Sequence, residues 1–263
     1  MRFNPLDHRV MFQLPARLTP QSAWHKHLPF GMLLVSLLRP KVIVELGVFR
    51  GDSYCAFCQA VQALRLNTQC YGVDTWQGDD HQGRYGKEVM EELSIYHDPL
   101  YGAFSTLLRS TFDQARTHFG AAQAEIDLLH LDGCHTYEAV RHDFETWVSA
   151  LSQRGVVLLH DIAVRIGNFG VWRLWEELRG AYPSLELLHG AGLGVLAVGP
   201  EQRSEFRELL EASDEELVAL REFLFSLGGC AALRRALIEA AQGTAAAALP
   251  AGREARRGGE GRK

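Results

Sequence analysis

The stretch IDLLHLDGCHTYEAVRHDFETWVSALSQRGVVLLHD, residues 126–161, constrains the fold most tightly. Two short, apolar, β-prone runs, 126–131 and 156–159, flank a segment in which Val140, Phe144, Trp147, Val148 and Leu151 recur at helical spacing. That pattern predicts a strand, a helix and a second strand parallel to the first. Such crossovers are right-handed and leave both strand C-termini on one edge, where open α/β sheets bind ligands. Asp132 and Asp161 should therefore meet there, with His135 reaching the same crevice.

Upstream, VIVEL at 42–46 reads as a strand running into Gly47 and Gly51, before a helix over about 54–64. Strand, glycine turn and helix make a cofactor loop, because a missing Cβ lets backbone approach a ligand and the helix start, near Ser53, offers free amides. The spacing is not the G-x-G-x-x-G of dinucleotide sites, and Glu45 just ahead of the loop would repel a pyrophosphate. A strand at 69–73 ends at Asp74, placed to bind the two hydroxyls of a ribose. A ribose without phosphates, carrying positive charge that suits Glu45, points to S-adenosylmethionine.

The remaining segments fit one doubly covered sheet. Residues 1–20 read as irregular, 24–38 as a lead-in helix, 75–102 as a long polar loop with a short helix over 87–96, and 107–110 as a short strand. Ser110 and Phe112 follow that strand, Phe112 where it could cover an adenine. A helix over 169–179 precedes strands at 184–188 and 193–198, whose tight turn makes the last strand antiparallel. The expected division is a lead-in over 1–40, a cofactor domain over 41–199, two outer helices within 200–242 and a disordered tail over 243–263. The expected fold is a Rossmann-like α/β domain, with a mostly parallel seven-stranded sheet closed by an antiparallel hairpin.

Composition narrows the setting. A net charge of −5 argues against nucleic acid, and five cysteines in 263 residues make no disulfide framework. The absence of a secretion pattern and of any apolar run near ~20 residues gives the expectation of a soluble, cytoplasmic protein without a membrane span. Cys55 and Cys58 read as core packing, Cys134 as a non-ligand, His118 and His142 as surface residues, and His130 as a satisfied core histidine.

Asp132, His135 and Asp161 carry the chemistry. An alcohol with a pKa near ~15.7 is ionised at neutral pH in roughly one molecule in 10⁸ to 10⁹, a deficit of about 12 kcal/mol. A positioned histidine base supplies only ~3–5 kcal/mol of that. A divalent cation on two carboxylates would stabilise the alkoxide, and magnesium suits oxygen donors. His160 is adjacent and is a candidate third ligand, although imidazole is a poorer magnesium donor. The bland alternative has Asp132 capping a helix and Asp161 ending a strand.

The phrases VELGVFRGDSY, VDTWQGDDHQGRYG, IDLLHLDGCHTYEAVRHDFETW, GVVLLHDI and FGVWRLWEEL resemble class I methyltransferases related to macrolide-sugar O-methyltransferases and cephalosporin-hydroxylase-type proteins. Similar domains accompany bacterial glycosyltransferases, and the resemblance covers about 24–199. It implies magnesium-dependent methyl transfer from S-adenosylmethionine to a hydroxyl, often on a sugar. Glu45, Gly47 and Asp74 carry over as cofactor contacts, Asp132 and Asp161 as metal ligands, and His135 as base. One departure is that His160 and Ile162 flank Asp161 where related sites show an acid or amide. The expected partners are a small-molecule or glycoconjugate acceptor, a glycosyltransferase and a second copy of the chain. A scaffold that binds the cofactor without catalysis, and a nicotinamide oxidoreductase, are the competing readings.

Overall fold

The computed structural model describes residues 3–20, 22–79, 81, 83–119 and 125–247. Its strands are β1 (Val42–Leu46), β2 (Gln69–Asp74), β3 (Gly78–Asp79), β4 (Gly83–Arg84), β5 (Ser105–Arg109), β6 (Ile126–Leu131), β7 (Leu151–His160), β8 (Ser184–Leu187) and β9 (Leu193–Ala197). Its helices are α1 (Leu28–Leu38), α2 (Asp52–Ala63), α3 (Glu88–Tyr101), α4 (Phe112–Arg116), α5 (Tyr137–Trp147), α6 (Val171–Leu178), α7 (Ser204–Leu210) and α8 (Asp214–Ala247). Seven strands form one sheet in the order β5-β2-β1-β6-β7-β9-β8, and β3 pairs with β4 alone. Only β9 runs against its neighbours in the large sheet. The strand order reverses between β1 and β6, so the crevice opens at their C-terminal ends. This is the Rossmann-like α/β fold, with a mostly parallel seven-stranded sheet, that the sequence pattern predicted.

The apolar residues sort onto two faces. One core joins the sheet to α1, α2, α3, α7 and α8, with Phe30, Phe57 and Phe206 wholly buried. The other joins it to α4, α5 and α6 through Phe144, Trp147 and Trp175. Every residue of α1 is buried, which explains why its sequence shows no polar face.

Several boundaries differ from the sequence expectation, each for a local reason. The lead-in helix is split: Ala23–Lys26 forms a 3-10 turn capped by Ser22, and α1 starts at Leu28 because Pro29 fits only a first helical turn. The irregular N-terminal stretch holds two further 3-10 turns, Pro5–Asp7 and Arg9–Phe12. Strand β7 begins at Leu151, where a helix was expected to end. There Ser152 Oγ and Arg154 Nη2 donate to the buried Asp127 carboxylate at 2.6 and 3.1 Å, which turns polar residues into strand residues. Strand β5 starts earlier than expected, and α3 runs on through Pro99. The expected tail begins too early, since α8 continues to Ala247 on alanines, the best helix formers. The rest of that tail lies outside the described residues.

Among the described residues no helix is long and apolar enough to cross a membrane. The C-terminal helix is not a detached appendage. A Cβ on Gly228 would collide with the Lys26 carbonyl, so α8 lies directly on the turn that carries Trp24.

Candidate functional site

A cleft of about 450 Å³ opens at the C-terminal ends of β1, β2, β6 and β7. The β1–α2 loop forms its floor. Gly47, at φ +92°, lies so close to β6 that any Cβ would meet the Asp132 carbonyl oxygen, and its N–H donates to the Val73 carbonyl at 2.9 Å. Gly51, at φ +79°, precedes the first turn of α2. Both positions require glycine.

Asp74 holds the next wall by its carboxylate. Its Oδ2 accepts the Phe49 N–H at 2.8 Å and its Oδ1 accepts the Trp76 N–H at 2.7 Å. Phe49 and Trp76 adopt left-handed backbone, φ 48° and 51°, at a cost of roughly 1–2 kcal/mol each that these bonds offset. Burial pushes the Asp74 carboxyl up, against the pull of the backbone donors. Each oxygen retains a lone pair that a ribose hydroxyl could use.

The acidic centre lies beside this wall. His135 Nε2 is 2.8 Å from Asp161 Oδ2 and 3.6 Å from Asp132 Oδ1. His160 Nδ1 faces the same two oxygens at 3.4 and 3.2 Å. Burial disfavours charge on all four groups, but mutual attraction outweighs it. Asp132 is held well below the usual carboxylate range and Asp161 below it, while both histidines are pushed up to about 10. Asp161 sits at φ 64°, a left-handed position that aspartate tolerates better than most side chains. Phe169 stacks on His135 at 4.9 Å and 14°, fixing the ring.

The donors fit a divalent cation. Ligand atoms of Asp132, His135 and Asp161 lie within 4.8 Å of one another. Donors ~2.1 Å from one ion stand roughly 3–4 Å apart, which matches the His135–carboxylate separations. His135 Nε2, although close to Asp161, is not aligned for a hydrogen bond. The histidine expected as base thus stands within the donor group, and His160, expected as ligand, stands beside it. Two carboxylates alone would suit magnesium, whereas imidazole nitrogens shift the set toward manganese- or zinc-like ions.

Other expected contacts are placed differently. Glu45 is wholly buried below the floor, outside the cleft wall, where it accepts from Ser53 Oγ at 2.8 Å and lies 3.0 Å from His130 Nδ1. Burial raises its carboxyl, and this interior position makes it a support for Ser53 and α2 rather than a ligand contact. Ser53 itself lines the cleft, as does Phe112. Ser110 lies outside the cleft wall, with its hydroxyl donating to the Thr111 carbonyl at 3.0 Å. Cys55, Cys58 and Cys70 are core residues, and the exposed His142 pairs with Asp113 at 2.8 Å.

Sequence reasoning missed one contributor. Trp24 reads as an apolar helix residue, yet its indole N–H donates to Asp132 Oδ2 at 3.1 Å and its ring stacks on His160 at 5.6 Å. His81, in the β3–β4 hairpin, packs on Phe169 at 4.5 Å and meets Asn168 Oδ1 through Nε2 at 2.7 Å, bridging the two loops over the acidic centre. Its sequence signal is its place in the long polar loop beside Trp76, Arg84 and Tyr85, side chains suited to a hydroxylated ring.

Residues 44–162 match the family described as a methyltransferase domain. The match begins within β1 and ends one residue past Asp161, so this domain contains the whole acidic centre. An uncharacterized protein of Sinorhizobium fredii, y4gI, is 49% identical over 192 residues, which make up 73% of this chain and 21% of that protein. The chain therefore spans about a fifth of its relative's length. Cofactor-bound Rv0187 from MTB superposes with a TM-score of 0.52 at 12% identity, over 75% of this chain and 88% of that one. The O-methyltransferase TomG from Streptomyces achromogenes, solved with S-adenosylmethionine, gives 0.50 at 16% identity, over 73% and 87%. At these identities the likeness is one of fold.

Proposed function

We propose that this domain transfers a methyl group from S-adenosylmethionine to a hydroxyl, with a divalent cation on Asp132 and Asp161 and His135 as the base. The convergence of Asp132, His135 and Asp161 at adjoining strand ends, beside the Asp74 wall, carries this reading. In the reaction the acceptor oxygen forms a bond to the methyl carbon as the carbon–sulfur bond breaks. The hydroxyl proton goes to His135 Nε2. A bound cation would supply Lewis acidity toward the acceptor oxygen.

The chain's own residues do the rest. Asp74 and the glycine loop orient the nucleoside, and alignment of donor and acceptor can be worth ~7–11 kcal/mol. Phe169 stacks on the imidazole and holds it in place. With the carboxylate charge offset by a cation, His135 loses most of the attraction that pushes it up to about 10, which returns it toward neutral pH.

We assign the acceptor to sugars or glycosylated small molecules. His81, Tyr85 and Phe169 line the outer cleft with aromatic faces and hydrogen-bonding edges suited to a hydroxylated ring. A glycosyltransferase that supplies such a sugar is the partner class, and the free thiols suit a reducing, cytoplasmic setting. The test is methyl transfer from labelled S-adenosylmethionine to a panel of sugar and phenolic acceptors, before and after EDTA treatment. A sugar product that disappears on chelation is expected. Full rate after EDTA removes the cation from the reading, and protein that does not bind S-adenosylmethionine ends it.

A further inference from the structure

We infer that His27 is a positioning residue for the cation site: it accepts the Nε2–H of His160 and so turns His160 Nδ1 toward the ion, an assignment that rests on a divalent cation at Asp132 and Asp161. His160 ends β7 and is 3% exposed. Its Nδ1 faces Asp132 Oδ1 at 3.2 Å and Asp161 Oδ2 at 3.4 Å. Its Nε2 is buried with no hydrogen-bond partner among the described residues. Imidazole binds a cation through a lone pair, so a neutral His160 that turns Nδ1 to the ion carries its proton on Nε2. A metal-bound imidazole gives that second N–H to an acceptor, which fixes both its tautomer and its angle. Because Nε2 is withdrawn from water, the acceptor must come from inside the protein.

Two aromatic rings pack on His160. Trp24 stacks on it at 5.6 Å and 26°, but an indole offers only a donor, and that donor is already on Asp132. His27 stands edge-on at 5.6 Å and 85°. It immediately precedes α1, is wholly buried, and has both ring nitrogens without a hydrogen-bond partner among the described residues. Burial, with His160 and His189 beside it, pushes His27 down to about 2, so the ring stays neutral and keeps one bare nitrogen. The opposite side fixes its place: His189 stacks on it at 4.7 Å and 20°, and a Cβ on Gly190 would come within 2.9 Å of His27 Nε2. The β8–β9 turn therefore closes over His27 and holds it beside His160. Unpartnered polar atoms in the interior cost free energy, and an N–H···N bond between the two rings satisfies one on each.

Calorimetric titration of the chelator-stripped full chain with Mn²⁺ and with Mg²⁺ tests this. His27→Phe keeps a flat ring and removes the acceptor. It should weaken Mn²⁺ binding ~10- to 100-fold, the usual range for losing the partner of a metal-bound imidazole. Mg²⁺, which takes oxygen donors, should weaken by less than ~3-fold. In a His160→Phe background the same substitution should cost less than ~2-fold, because no N–H remains to be accepted. Unchanged Mn²⁺ affinity in a folded His27→Phe, an equal loss for both ions, or a loss that persists in the His160→Phe background overturns the inference. Should His27→Phe not fold, ring-nitrogen NMR of the Zn²⁺-loaded wild type decides. Scalar coupling across an N–H···N bond between His160 and His27 supports the inference, and its absence overturns it. Wild type that binds no Mn²⁺ removes the cation reading itself, which separates the two failures.

Discussion

The indole N–H of Trp24 donates to Asp132 Oδ2 at 3.1 Å, tying the lead-in segment to the strand end that carries the acidic centre. This bond leaves Oδ1 of Asp132 facing His135 and His160. Trp24→Phe keeps the ring and removes the donor. It should cost about 1–2 kcal/mol in cation affinity, roughly 5- to 30-fold, read by manganese titration of the chelator-stripped protein. An unchanged affinity would show that Asp132 is positioned without Trp24.

Imidazole donors also set which ion is preferred. Stripped protein should bind Mn²⁺ at least ~10-fold more tightly than Mg²⁺, because nitrogen donors favour the softer ion. His160→Gln should narrow that ratio. Equal affinities in wild type would keep the His160 ring out of the coordination sphere.

As the base, His135 has its own kinetic signature. His135→Ala should lower turnover by ~10²–10⁴-fold while leaving the affinity for S-adenosylhomocysteine within a few-fold. A parallel loss of cofactor affinity would mean that the imidazole shapes the nucleoside site instead.

The cation-free protein should lose stability on both sides of neutrality. His135 and His160 are raised to about 10 in the folded chain, so their contribution is complete below an unfolded value near 6.5 and fades as pH climbs toward 10. Asp132 and Asp161 are depressed, so theirs is complete above about 3.8 and is lost as pH falls through the lower folded values. Melting temperatures of EDTA-treated protein should fall from pH 7 to pH 10, and His160→Gln should flatten that decline. A flat wild-type profile would mean that these ion pairs do not persist in solution.

Backbone demands at the floor can be tested without any substrate. Gly47→Ala must place a methyl group against the Asp132 carbonyl at φ +92° and should destabilise the fold by at least ~2 kcal/mol, seen as a lower denaturation midpoint. Asp74→Ala should leave Phe49 and Trp76 without the acceptor for their amides and weaken S-adenosylhomocysteine by more than ~10-fold. Near-wild-type behaviour of both variants would mean that the loop relaxes to another shape without penalty.

Much of this architecture is legible in the sequence because it depends on short-range patterns. The apolar runs that become β1, β6 and β7, and the acids that follow them, mark the sheet edge, and topology brings Asp132, His135 and Asp161 together there. What depends on long-range contact was hidden. Trp24 looks like any aromatic residue at apolar spacing, since nothing nearby in sequence reveals a partner 108 residues away. Glu45 was read from its position at a strand end, but side-chain alternation turns it into the interior, toward Ser53 and His130. The polar start of β7 depends on Asp127 in the neighbouring strand, which no helical or strand period within 151–154 could show.

The contact of Gly228 with the Lys26 carbonyl seats the long C-terminal helix on the lead-in segment. A glycine there lets two backbones touch, with no flexible side chain between them to absorb movement. The turn so covered is the one that carries Trp24, whose indole holds one oxygen of Asp132, so a methyl at Gly228 would press on the same segment that positions the acidic centre.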